Sequence, residues 1–202
     1  GADNVAIGKD SMQANTTADN NTAMGRSALV ANTTGGSNTA VGDNSLAANT
    51  TAANNVAVGG YALSTNTTGT ANVAVGKIAL RFNTTASNNT AIGYSALKAN
   101  TTASENTAMG FESLTANTTG NSNTGIGEAA LRGNTTANNN TGIGRQALYT
   151  NTSGASNTAV GKAALFANTT ANNNTAVGYN SLLLNTTGTQ NTAIGMVALD
   201  AN

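Results

Sequence analysis

The chain has 202 residues, of which 8% are charged and 3% aromatic, and its eight basic and eight acidic side chains give a formal net charge of zero. It contains no Pro, Cys, Trp or His, which excludes disulfides, thiolate and imidazole metal sites, and nucleophile systems that depend on Cys or His. Neither sign of charge forms a run that would draw a nucleic acid or an anionic membrane to the surface, and stretches such as Ala163 to Ala167 or Leu182 to Leu184 are far too short to cross a bilayer.

One repeat fills the chain. Units begin at Asn4, Asn21, Asn38, Asn55, Asn72, Asn89, Asn106, Asn123, Asn140, Asn157, Asn174 and Asn191, always 17 residues apart, with the consensus N-T-A-[VIM]-G-x-x-[AS]-L-x-x-N-T-T-x-x-x. Positions 1, 5 and 12 of the unit are Asn, Gly and Asn in all twelve copies, and no insertion or deletion breaks the register. Equal-length units stacked on one another explain this, because a one-residue slip would carry every inward side chain to the wrong face. The array is read as a single domain over 1–202. It begins at Gly1 in phase and stops at Asn202 inside a further copy, so it is expected to be an excerpt of a longer fibre.

Within each unit, the first element is a short strand at positions 1 to 5. In Asn38-Thr39-Ala40-Val41-Gly42, alternation separates Thr39 and Val41 from Ala40 and Gly42. The branched residue is expected to face inward with the Leu at position 9. This predicts a core ladder of Val41, Leu46, Val58, Leu63, Val75, Leu80, Ile92 and Leu97. The opposite face, with Ala40, Gly42, Ala57, Gly59, Ala74 and Gly76, then reads as a smooth strip where other chains approach. A second account of the glycine is a turn conformation closed to other residues.

The unit closes through Asn49-Thr50-Thr51, repeated as Asn66-Thr67-Thr68, with turn chemistry in the variable triplet that follows. The amides are expected to form a hydrogen-bonded ladder from coil to coil, with Thr hydroxyls satisfying turn backbone. The same tripeptides also match the N-glycosylation sequon. Helical repeats need about 33 to 47 residues, so the pattern predicts an all-β fold, a parallel β-solenoid or β-roll of twelve 17-residue coils, roughly 58 Å long at about 4.8 Å per coil.

The pentad N-[TV]-A-[VIM]-G followed by x-x-[AS], closest in Asn4-Val5-Ala6-Ile7-Gly8 and Asn72-Val73-Ala74-Val75-Gly76, resembles the head repeats of trimeric autotransporter adhesins of the YadA-like type. The N-T-A-x-G-x-x-A-L and N-T-T-G segments are similar to repeats of phage tail-fibre-like proteins. The resemblance spans the whole chain and implies a left-handed roll, three chains about one axis, and display on a cell surface or virion for adhesion or host recognition.

Carboxylates are scattered in phase. Glu105 and Glu112, the nearest in sequence to a pair, read as solvated, and Ser45 and Ser113 read as packing residues. No catalytic, cofactor-binding or metal-binding residue is expected, and nothing points to nucleic acid or to membrane insertion by this segment. Variation gathers at unit positions 6, 7, 10 and 11, which hold Lys9, Arg26, Tyr61, Arg81, Phe82, Tyr94, Phe111, Arg132, Tyr149, Phe166 and Tyr179. They read equally as a receptor-reading surface, for a host-surface or glycan receptor, or as drift on a solvated face. The expected role is the shaft of an extracellular or virion fibre whose main partner is itself. Alternatives are an ice-binding solenoid, disfavoured because Thr50 and Thr51 are adjacent and point to opposite sides, and a filament of coils stacked end to end through free strand edges.

Overall fold

A computed structural model describes residues 1–200. It holds twelve three-residue strands, β1 (Val5–Ile7), β2 (Thr22–Met24), β3 (Thr39–Val41), β4 (Val56–Val58) and so on at steps of 17 to β12 (Thr192–Ile194). They form one parallel sheet in sequence order, each residue pairing with the one 17 later, as Thr39 with Val56 and Ala40 with Ala57. No helix is present among the described residues. The fold is a β-solenoid of stacked 17-residue coils.

Hydrogen bonding between coils continues well past the short strands. In the coil from Asn38, the amides of Thr39, Leu46 and Ala48 donate to Asn55, Ala62 and Ser64 of the next coil at 2.8, 3.0 and 3.0 Å, while those of Gly42, Asn44 and Asn54 donate to Met24, Arg26 and Gly36 of the previous coil at 2.8, 2.9 and 3.1 Å. Backbone groups on every side of the coil are therefore paired, as buried amides require.

Four corners need left-handed backbone. Gly at position 5 has φ between 124° and 136°. A Cβ on Gly42 would meet the Gly59 carbonyl carbon at 2.7 Å, so the glycine column answers both the conformation and the close approach of the next coil. Positions 7, 9 and 17 also take positive φ, illustrated by Asn44, Leu46 and Asn54 at 54°, 49° and 61°. For leucine this conformation costs about 1–2 kcal/mol. It aims the side chain into the coil, where full burial returns about 1.5–3 kcal/mol.

The core differs from the expected one in half of its members. Leu46, Leu63, Leu80 and Leu97 are fully buried, as the ladder requires. Val41, Val58, Val75 and Ile92 lie on the outer face and are only half-buried, while Ala40, Ala57 and Ala74 beside them in the strands are fully buried. The strand is therefore turned over relative to the reading from hydrophobic size. Where Gly replaces the inward Ala, an added Cβ at Gly125 would stand 2.7 Å from Ser113 Oγ, and at Gly142 3.2 Å from Leu131 Cγ. In those two coils even a methyl group is crowded, and in the others position 3 holds a buried Ala methyl, so a branched side chain there has no room. Val41 has to face outward because the coil is too narrow to contain it.

Large-to-small change at the leucine column and small-to-large change at the alanine column are both expected to destabilise. Leu80→Ala should cost about 2–5 kcal/mol, and Ala74→Val about 1–3 kcal/mol by overpacking. Val75→Thr, on the outer face, should leave the stability of the single chain within about 0.5 kcal/mol. Denaturant unfolding of the three variants measures the differences.

Candidate functional site

The interior carries twice as many buried asparagines as leucines per coil. Within one coil, Asn38 Nδ2 and Asn49 Nδ2 both donate to the Ala52 carbonyl, at 2.9 and 3.0 Å. Asn49 Nδ2 also reaches Asn32 Oδ1 at 2.9 Å, and Asn66 Nδ2 reaches Asn49 Oδ1 at 3.2 Å. The position 1 asparagines form a second column, in which Asn55 N donates to Asn38 Oδ1 at 3.0 Å. The expected ladder at Asn49 and Asn66 is present, and its twin at position 1 went unanticipated, although the same invariance marked it. With Asn49 and Asn66 fully buried, a glycan on either amide has no room in the folded coil. Thr50 Oγ1 and Thr67 Oγ1 donate to the Thr67 and Thr84 carbonyls at 3.4 and 3.0 Å, whereas Thr51 and Thr68 stand exposed.

Two surfaces remain. The first is the outer face of the sheet, formed by unit positions 2 and 4. Position 2 is Thr in nine coils and Val in three, position 4 is Val, Ile or Met throughout, and no charged residue occurs in either column. Large apolar groups stand open there, including Ile7, Met24, Met109 and Ile143. The strip of Ala40, Gly42, Ala57, Gly59, Ala74 and Gly76 is not this surface. Its alanines are enclosed by their own chain and its glycines stack on one another, so the expected strip of small residues is not open to another chain, and the outer face of the sheet is one of Thr, Val, Ile and Met.

The second surface is the corner after the strand, at positions 6, 7, 10 and 11. All eight Lys and Arg and all seven aromatic residues of the chain lie there. Equal neighbours in successive coils touch: Tyr94 and Phe111 stack with centroids 5.5 Å apart, and Tyr149 and Phe166 at 5.1 Å. Arg81 sits over Tyr61 and Phe82, and Lys162 over Tyr179. Arg26 pairs with Asp43 at 2.8 Å, Arg132 with Glu112 at 2.9 Å and Arg145 with Glu128 at 3.3 Å. The hydrogen bond from Arg26 holds the Asp43 carboxyl below its ordinary range and raises the guanidinium in return. Arg132 is raised by its hydrogen bond to Glu112 and by Tyr149. Glu105 accepts from Ser122 Oγ at 3.1 Å on another column, so Glu105 and Glu112 do not converge. Ser45 and Ser113 are buried, and donate to the carbonyls of Gly42 and Gly125 at 3.0 and 2.8 Å.

No family model, curated protein or solved structure matches this chain.

Removing one rung of the asparagine ladder is expected to be costly for a polar residue. Asn66→Ala strips a donor from the Gly69 carbonyl and from Asn49 Oδ1, and leaving such groups buried without partners costs about 1–3 kcal/mol. Thermal melts of Asn66→Ala against the exposed Thr68→Ala measure it. The pH response should be weak by contrast. A carboxyl held low, as Asp43 is, contributes stability present above its unfolded value and lost as pH falls through its lower folded value, but this pair is exposed and screened. The melting temperature of Asp43→Asn should therefore track that of the parent across the acid range.

Proposed function

We propose that the chain is a rigid shaft segment of an extracellular or virion fibre, in which copies of the chain associate laterally through the outer face of the sheet. The observation that carries this reading is the uncharged Thr, Val, Ile and Met face running through all twelve coils. Eleven steps of about 4.8 Å give a face about 53 Å long, and three residues at about 3.3 Å give a width of about 10 Å. Two such faces together bury roughly 1,000 Å², the lower bound for a specific interface. A twelve-rung ladder is matched best by a partner with the same rung spacing, and another copy of the chain has it. The likeness of the pentad to trimeric adhesin repeats favours three copies about one axis. Display on a cell surface or virion, with adhesion or host recognition, follows from the same likeness.

Ice binding is the second reading, supported by the nine outward threonines at position 2. These form a regular hydroxyl and methyl array distinct from the Thr50-Thr51 turn. The two readings separate in solution. Mass measurement is expected to give a trimer, and Val58→Lys, Val75→Lys and Ile92→Lys together should release monomers with an unchanged far-ultraviolet circular dichroism spectrum, since a charge buried in the contact has no partner. A monomeric parent that depresses the freezing point would replace the shaft with the ice-binding function.

A further inference from the structure

We propose that the corner at unit positions 6, 7, 10 and 11 is a binding strip for a linear acidic polysaccharide laid along the rod, in a contact separate from the sheet face. The first support is segregation. Every cation and every aromatic ring of the chain occupies four of the seventeen phases, while the sheet face carries no charge. Eight cations meet five carboxylates on this corner, Asp10, Asp43, Glu112, Glu128 and Asp200, so the corner is positive on a chain of zero net charge.

The second support is where the excess lies. Between Lys77 and Lys162 the corner holds six cations and two carboxylates. Those two are Glu112 and Glu128, already engaged by Arg132 and Arg145. Lys77, Arg81, Lys98 and Lys162 make no ion pair among the described residues. Three of the four, Lys77, Arg81 and Lys98, stand within one coil step of about 4.8 Å, and Lys162 follows four steps, or about 19 Å, farther along the rod. Two positive stations that far apart on one edge fit a chain of anions and not a single compact ion.

The spacing and the rings together select the polymer. A nucleic-acid strand carries a charge about every 3.4 Å and is gripped by bases stacking on open aromatic faces. Here each ring already has one face against a neighbouring ring or cation, Tyr94 against Phe111, Tyr149 against Phe166, Tyr61 and Phe82 beneath Arg81 and Tyr179 beneath Lys162, which leaves fewer faces for a base to stack on. A polyuronate has the lower charge density. Its carboxylates suit Lys and Arg, and its hydroxyls suit Tyr94 and Tyr179, both about half exposed.

The test is binding of the full chain to fluorescent polygalacturonate at low salt, with dextran and an oligothymidylate as comparison polymers. Polygalacturonate is expected to bind and to be released by added salt, and dextran is expected not to bind. Lys77→Ala, Arg81→Ala and Lys98→Ala combined should weaken binding by about ten-fold or more, without changing the circular dichroism or the mass in solution, while Lys9→Ala, on the same corner but four coils before Lys77 and outside the stretch of excess charge, should not. If the triple variant is poorly folded, Lys162→Glu alone is expected to weaken binding in the same direction. Absence of binding, equal affinity for dextran, tighter binding of the oligothymidylate, or full affinity in the folded variants would each overturn the assignment. None of these outcomes bears on lateral association, which is read from the mass alone.

Discussion

Two asparagine side chains in each coil donate to one carbonyl, as Asn38 and Asn49 do to Ala52, and the rest of the structure depends on that closure. A coil with one leucine and two alanines inside buries too little apolar surface to fix seventeen residues unaided. The amides close the coil across its polar half and link it to the coils above and below. Each such bond is worth only about 0.5–1.5 kcal/mol net. The larger effect is selective: a coil one residue longer or shorter would leave several buried amides without partners. Strict 17-residue spacing is the sequence trace of that penalty.

The same economy of space creates the outer surface. With asparagine filling one half of the interior and leucine and alanine the other, a valine or isoleucine has no place inside. Each coil therefore displays at least one apolar residue on this face, and parallel stacking lines these up into a continuous face. An apolar stripe of that length is unusual for an isolated soluble chain. A fold whose interior is too small for its apolar residues has to show them on its surface, and the proposed lateral contact would cover them.

The corner obeys a different rule. Positions 6, 7, 10 and 11 are fixed in backbone and free in side chain, so charge and aromatic character can change there without disturbing the coil. Neighbouring coils bring equal positions within contact distance, which is why Tyr94 meets Phe111 and Arg26 meets Asp43. The scaffold thus converts a spacing of 17 in sequence into a row of adjacent groups in space, a suitable geometry for reading a polymer.

The sequence by itself determined the coil length, the parallel stack, the turn corners, the leucine column and the asparagine ladder at Asn49 and Asn66. All of these follow from invariance at a fixed period. The grouping of all cations and rings on four phases was equally legible. It needed only to be counted by phase. Which side of the strand faces inward was settled by the tertiary structure alone, because alternation separates Ala40 from Val41 without saying which is inside. Hydrophobic size argued for Val41; the width of the coil, set by the stacked Leu and Asn columns, decided for Ala40. Likewise, only the structure paired Arg132 with Glu112 and Arg81 with Tyr61, since these contacts join different phases of successive coils and depend on how the corner turns.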